Sequence, residues 1–303
     1  MPKTKIEILR KKCPICSSSD YDVIYPSTVN FGKDLNAKIF SARRLPDRIH
    51  GTIVKCSRCG LVRTYEVIDD SQLSKLYVNS RFTYKNLTNN LRTSYGIILQ
   101  EAVKYFGRRN SFLEIGCGNG FMLEEALKIG FGKVSGIEPS RDAISRADKR
   151  IRSFIKQDIL HQGVFPKNSF DMIAAFQVFD HIPNPNHFLK ICLTLLRPKG
   201  ILVLMNHDVE SLSARVLGER SPIIDIEHTY LYSQKTIGKI LRKNDYKVAK
   251  IYNPPAIFSI KYFLRLLPLP QSFKKVVEKS KSKLLDTNIR IKPGNLCAIS
   301  IKK

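Results

Sequence analysis

The stretch Phe112 to Ser140, FLEIGCGNGFMLEEALKIGFGKVSGIEPS, constrains this chain more than any other. A short apolar run stops at Ile115, glycines stand at Gly116, Gly118 and Gly120, a helix-like segment follows, and a second apolar run ends on an acid, Glu138. Glycines so spaced let the backbone turn tightly out of a strand and let a ligand approach the N-terminus of the next helix. Two apolar runs bracketing an amphipathic segment read as a strand-helix-strand unit, whose strands pair in parallel. The expectation is an α/β fold with a nucleotide-like ligand at the glycine turn.

The same alternation continues down the chain and argues for a parallel sheet covered by helices. Strand-like runs lie at Phe112 to Ile115, Val134 to Ile137, Phe154 to Gln157, Met172 to Gln177 and Ile201 to Met205. Two more, Lys247 to Ile251 and Cys297 to Ile301, complete a set of seven, the last expected antiparallel because no simple helix joins it to its predecessor. Residues 111–303 form this unit, with 208–245 and 254–295 as insertions or a lid at a substrate site. Within the second, IFSIKYFLRLLPL (Ile257 to Leu269) is apolar with Lys261 and Arg265 four apart. That is the pattern of a buried cover or of a helix lying on a membrane surface. Ahead of the unit, residues 66–110 read as a helical connector. Tyr95, Ile98, Leu99, Ala102, Val103 and Phe106 recur at three and four, one face of an amphipathic helix.

Residues 1–65 carry a different signal. Cys13 and Cys16 form one C-x2-C pair in KCPIC, and Cys56 and Cys59 form another in KCSRCG. Each pair sets two thiolates on a tight turn, and together they supply the four tetrahedral ligands that zinc prefers. With all four positions filled by protein, none is left for water, so the expected role is structural: a small zinc ribbon built on strand-like runs at Tyr21 to Tyr25 and Ile53 to Lys55.

Among the 303 residues, 51 Lys+Arg stand against 26 Asp+Glu, a net charge of +25. The excess is spread along the chain and favours anionic partners. No run of uncharged apolar residues is long enough to span a bilayer, and MPKTKIEILRKK lacks the apolar core of a secretory signal. A cytoplasmic location is expected, in which paired cysteines hold metal rather than form disulfides.

The acids around the glycine turn narrow the ligand. Glu114, inside the turn, would repel a pyrophosphate and suits an ammonium group. Glu138, at the end of the second strand, suits ribose hydroxyls. Asp158 in IKQDIL can accept from an adenine amino group, with Ile159 beside the ring. On these residues the chain resembles the class I S-adenosylmethionine-dependent methyltransferases. LEIGCGNG matches the first motif, GIEPS the acidic second-strand motif, QDI the adenine-contacting motif, FDMIAAFQVFDHIPNP the fourth-strand motif, and LRPKGILVLMN the approach to the fifth strand. PKG stands where the family commonly has P-G-G. The resemblance covers about residues 95–303 and implies a Rossmann-like sheet of seven strands, with the seventh antiparallel beside the fifth. It further implies S-adenosylmethionine held by Glu114, Gly116, Cys117, Gly118, Gly120, Glu138, Pro139, Asp158, Ile159 and Gln177.

Methyl transfer is an in-line displacement, so the enzyme aligns a nucleophile and, for a poorly acidic one, removes its proton. Residues at the carboxyl end of the fourth strand face the methyl group, here Gln177, Asp180 and His181. His181 is the first candidate base, because imidazole titrates near neutrality. His228 and Tyr230, in IEHTYLYS, form a second candidate pair. Two acceptor classes compete. The first is a small molecule, a sugar, nucleotide sugar or other metabolite methylated at oxygen or carbon, with an anionic one suiting the charge. The second is RNA, for which the charge and the cysteine module argue. Against RNA, Asn253-Pro254-Pro255-Ala256 lacks the aromatic residue of an amino-methylating motif and follows the sixth strand. A non-catalytic protein that binds S-adenosylmethionine or zinc is a third reading, opposed by the intact set of cofactor acids.

Overall fold

The computed structural model describes residues 8–29, 48–68, 70–78, 88–105, 107–267, 269–280 and 282–303. Phe106, expected on the apolar face of the connector, lies outside them, as do Pro268 and parts of 1–65 and 66–110.

The chain opens with β1 (Ile8–Arg10), β2 (Tyr21–Tyr25), β3 (Ile53–Cys56), β4 (Val62–Thr64) and β5 (Glu66–Ile68). The β2 and β3 runs lie where the sequence put them. β1 pairs antiparallel with β5, while β2, β3 and β4 make an antiparallel ribbon. Gly60, directly after Cys59, has φ of +83°, the left-handed backbone that closes the second cysteine turn and that glycine adopts without strain. Two helices follow, α1 (Asp70–Val78) and α2 (Thr88–Ala102). On α2, Tyr95, Ile98, Leu99 and Ala102 are buried, the face expected from their spacing.

Next come β6 (Ser111–Ile115), α3 (Phe121–Ile129), β7 (Lys133–Ile137), α4 (Arg141–Ser145), α5 (Lys149–Arg152) and β8 (Ile155–Lys156). They lead to β9 (Phe170–Phe176), α6 (Pro185–Leu195), β10 (Leu196–His207) and α7 (Leu212–Leu217). After these come β11 (Tyr230–Leu231), α8 (Gln234–Lys243), β12 (Tyr246–Tyr252) and β13 (Ala256–Ser259). The chain ends with α9 (Ile260–Leu266), α10 (Gln271–Lys279), α11 (Lys283–Asp286), β14 (Asn288–Ile291) and β15 (Asn295–Lys302).

Among the described residues, seven strands form the central sheet in the order β12-β15-β10-β9-β6-β7-β8. β8, β7, β6, β9 and β10 pair in parallel, and β15 is antiparallel between β10 and β12, as the resemblance implied. Both faces are covered. Phe112, Met172 and Val203 meet Leu99 of α2 and Met122 of α3 on one side, while Leu113, Ile173 and Leu202 meet Leu189 of α6 and Ile240 of α8 on the other. Leu113, fully buried, is one such anchor; its truncation to Ala costs about 2–5 kcal/mol.

Three local expectations change. The third strand contracts from Phe154–Gln157 to two residues, as an edge strand with one neighbour. The PKG segment, read as part of the approach to the fifth strand, lies inside β10, where Lys199 adopts φ of +64° and the register with β9 shifts between Leu196 and Ile201. Ile257 to Leu269 is not one helix: its start forms β13, paired with β14, before α9 begins under a Ser259 side-chain cap.

Nothing in the local pattern of residues marks β11. Its two residues pair antiparallel with β4, which makes them the fourth strand of the ribbon sheet. Cys13, Cys56, Cys59 and Leu61 share one apolar core with α6 and α8, so the cysteine ribbon packs directly on the central sheet.

Candidate active site

The strand order reverses between β6 and β9, the place where open α/β sheets leave a crevice at the carboxyl ends of their strands. A cavity of about 950 Å³ lies there. That is the upper end of the ligand-pocket range, about 300–1,000 Å³, and accommodates a second molecule beside a cofactor.

The glycine turn forms one wall. Gly116 N–H and Cys117 N–H both donate to the Ile137 carbonyl, at 2.8 and 3.2 Å, tying the turn to the end of β7. Gly116, Gly118 and Gly120 all have positive φ. A Cβ on Gly116 would lie 2.5 Å from Val178 Cγ2, so glycine is required by space as well as by conformation. At Gly120 a Cβ would instead meet Ile151 and Ile155, so this glycine lets α3 sit closely on α5 and β8. Gly116 and Gly118 line the cavity, and Gly120 and Cys117 do not. Cys117 turns into the core, its Sγ filling the space left by Gly136.

Glu138 is buried at the end of β7. Its Oε2 accepts from Gly118 N–H at 2.8 Å and its Oε1 from Ser140 N–H at 2.9 Å, an arrangement that locks the carboxylate against the glycine turn. Burial raises its pKa above the ordinary range despite those two donors. Glu114 is buried behind the lining, and burial together with the Glu138 charge pushes its pKa well up. Among the described residues its Oε2 has no hydrogen-bond partner, nor do the buried side-chain oxygens of Asn119 and Gln177. Gln177 directly follows β9 with φ of +56°, a strained conformation for a residue with a side chain, fixed by its N–H bond to the Met205 carbonyl at 2.7 Å. Pro139, Asp158 and Ile159 also line this half, with Asp158 accepting from Ile159 N–H and bonded to His161. Buried acceptors that lack donors, two carboxyls whose pKa burial raises, and an open glycine cradle fit a ligand with an amino group, a positive centre and ribose hydroxyls. The residues present therefore fit S-adenosylmethionine.

Beyond Gln177 stands a cluster that the sequence showed only in part. Asp180, almost fully buried, is met by three histidines: His207 Nδ1 lies 3.3 Å from Oδ2, His181 Nε2 3.7 Å from Oδ1, and His228 Nε2 3.9 Å from Oδ2. Burial opposes the Asp180 charge, but His181, His207 and His228 outweigh it and hold the carboxyl well below its usual range. For His228 burial dominates and lowers the imidazole to about 3, so it is neutral at pH 7. The Tyr77 phenol, kept protonated by burial and by the surrounding carboxylates, is hydrogen bonded to His181 Nδ1 at 2.9 Å. Both ring nitrogens of His181 thus face partners. His181, His207, His228, Glu227 and Tyr77 line the cavity. His207 closes β10 in LMNHD, at the same sheet edge as Gln177, and that position was the signal that could have found it. Tyr230 lies elsewhere: its ring is in the core between ribbon and sheet and its hydroxyl donates to the Pro183 carbonyl at 3.2 Å, so it does not face the cavity.

The four cysteines of the ribbon converge. Their sulfurs lie within 4.8 Å of one another, with Cys13 and Cys59 at 3.4 Å and Cys16 and Cys56 at 3.5 Å. Burial pushes the Cys13 and Cys59 thiols up. At Cys56 burial acts the same way but is outweighed by the backbone N–H groups of Cys59 and Arg58 and by the neighbouring thiols, which hold it down to about 7. Four cysteine sulfurs at these separations, with no solvent-facing gap required, match a closed tetrahedral zinc set.

A family model described as a methyltransferase domain matches residues 88–251. A ubiquinone biosynthesis O-methyltransferase of Rhodopseudomonas palustris is 30% identical over 112 residues, covering 35% of this chain and 44% of that protein. One from Actinobacillus pleuropneumoniae is 29% identical over 134 residues, covering 41% and 55%. The chain thus spans about half the length of these relatives. Among solved structures, a SAM-dependent methyltransferase from Archaeoglobus fulgidus aligns with a TM-score of 0.46 at 18% identity, covering 77% of this chain and 100% of that one. The geranyl diphosphate C-methyltransferase of Streptomyces coelicolor, solved with S-adenosyl-L-homocysteine, aligns at 0.47 and 12%, covering 70% and 76%.

Proposed function

The chain belongs to the methyltransferase-domain family, and from that premise we propose that it moves a methyl group from S-adenosylmethionine to a small-molecule acceptor. The observation that carries this reading is the junction of two half-sites in one cavity: the glycine turn with Glu138, and the histidine cluster on Asp180.

When bound, S-adenosylmethionine supplies a methyl group on a sulfonium centre. Glu138 would accept from the ribose hydroxyls, Gly116 and Gly118 would let the ligand approach the turn, and Asp158 and Ile159 would border the adenine. Glu114 and Gln177 offer the unpartnered acceptors beside them. Across the cavity, His207 is our choice of general base. With Nδ1–H donated to Asp180, its Nε2 carries a lone pair, and the Asp180 charge stabilises the imidazolium formed when that nitrogen takes a proton. His181, held between Tyr77 and Asp180, and neutral His228 form the walls that orient the acceptor. Methylation at oxygen or at an acidic carbon suits such a base, and a sugar, a nucleotide sugar or another metabolite fits the class.

Zinc on Cys13, Cys16, Cys56 and Cys59 is proposed as structural. Among the described residues no helix is long and apolar enough to cross a membrane, and a cytoplasmic location is retained as the working assignment.

Methyl-labelled S-adenosylmethionine incubated with the protein and a fractionated cell extract tests the acceptor. Label in small metabolites or lipid-linked glycans supports this reading; label in RNA, with binding that weakens steeply with salt, replaces it.

A further inference from the structure

The acceptor half of the cavity has a chemistry of its own. Beyond the histidines the wall passes to α7, β13 and α9, where Leu212, Val216, Phe258, Tyr262, Phe263 and Leu266 line it. Two of the hydroxyls on this side, those of Ser94 and Ser213, are committed within the chain. Ser94 Oγ donates to the Asn90 carbonyl and accepts from Ile257 N–H, and Ser213 Oγ donates to the Pro293 carbonyl. Hydroxyls of an acceptor lying against these apolar side chains would be left unpaired, at about 1–3 kcal/mol each. Leu212 and Val216, four apart on one face of α7, line the cavity and yet are 79% and 74% exposed, so an apolar lip continues the apolar wall to the surface.

We propose that the acceptor is an amphiphile. Its reactive polar head meets His207, His181 and His228, and a hydrocarbon chain runs along α9 and β13 and leaves past Leu212 and Val216. This rests on the methyltransferase reading, since the head is placed by the methyl-transfer site. It narrows that reading by assigning free, fully hydrophilic sugars and nucleotide sugars to the disfavoured class.

The test uses the full chain saturated with S-adenosylhomocysteine and a series of 4-alkylphenols from ethyl to octyl, with binding followed by calorimetry. Each methylene buried along the wall is expected to tighten binding by up to about fourfold. Val216→Lys, at an exposed position that leaves the fold intact, should remove the gain of the longest chains while leaving the short ones and S-adenosylhomocysteine unchanged. Phe263→Asn should flatten the series earlier. Affinity independent of chain length, or tighter binding of a uridine diphosphate sugar than of octylphenol, overturns the proposal. Failure to bind S-adenosylhomocysteine would instead overturn the methyltransferase reading beneath it. A free amphiphile and a bilayer lipid share this chemistry. Offering the octyl compound in solution and in phosphatidylcholine vesicles with or without phosphatidylglycerol assigns the source, because a bilayer-fed site binds faster from the anionic vesicles.

Discussion

Thr64 Oγ1 donates a hydrogen bond to the His228 carbonyl at 2.9 Å, joining residues 164 apart in sequence. Thr64 belongs to the cysteine ribbon and His228 to the candidate active site. The grip is reinforced on both sides: Thr64 N–H donates to the Thr229 carbonyl at 3.0 Å, and Asn186 and Lys243 both donate to the Pro14 carbonyl within the first cysteine turn. The ribbon therefore holds the segment that carries His228.

From this it follows that losing the metal should damage the acceptor half before the cofactor half. Metal analysis of the wild-type chain should give about one zinc, and a Cys56→Ser/Cys59→Ser variant none. That variant should keep S-adenosylmethionine binding while kcat falls. Thr64→Val removes one buried hydrogen bond, about 1 kcal/mol, and should lower kcat more than it raises KM. Equal loss of cofactor binding in the metal-free variant would show that the ribbon stabilises the whole chain instead.

Acidification should weaken the fold in a defined window because of His228. Its folded pKa, about 3, lies below the ordinary 6.5, so between those values the unfolded chain binds the extra proton. Stability from this group is complete above pH 6.5 and is lost as pH falls toward 3, at up to about 1.4 kcal/mol per pH unit. Asp180, also depressed, adds loss of the same sign at the acid end. Denaturant unfolding of His228→Gln across about pH 4 to 7 should show a flatter slope than wild type; an unchanged slope contradicts a buried neutral imidazole.

Cofactor binding should release protons. Glu114 and Glu138 both have raised pKa values, chiefly from burial, and a cationic ligand favours their ionised forms. Affinity for S-adenosylmethionine should therefore weaken as pH is lowered, and the apparent binding enthalpy should vary with the ionisation enthalpy of the buffer. Glu114→Gln should reduce the proton release, and Glu138→Ala should abolish binding. A buffer-independent enthalpy at mildly acidic pH would dissociate these carboxyls from the ligand.

Most of the central sheet could be read from the chain because each strand is a continuous apolar run, and the turn at Gly116 to Gly120 marks one wall of the cavity. What escaped the reading was set by contacts between distant residues. β11 is two residues long, too short to show a period, and becomes a strand only because β4 offers a free edge. His207 is an ordinary histidine until folding brings Asp180 within 3.3 Å, and Tyr77 joins His181 across 104 residues. Tyr230 looked catalytic beside His228 because the two are near in sequence, yet the chain bends at Thr229 before β11 begins, and the Tyr230 ring packs in the core with its hydroxyl on the Pro183 carbonyl.

The clearest test of the glycine turn is a pair of substitutions. Gly116→Ala places a Cβ 2.5 Å from Val178 Cγ2 and also forces alanine into φ of +69°. Val178 is β-branched and cannot swing aside cheaply, so the turn should shift and cofactor affinity should drop by roughly tenfold or more. Val178→Ala in the same chain removes the clash but not the backbone penalty, about 1–2 kcal/mol. The double variant should recover part of the affinity, measured by calorimetry with S-adenosylhomocysteine, and remain weaker than wild type. Recovery to the wild-type value would mean that space alone requires glycine here; no recovery would mean that Val178 is not what the added methyl group meets.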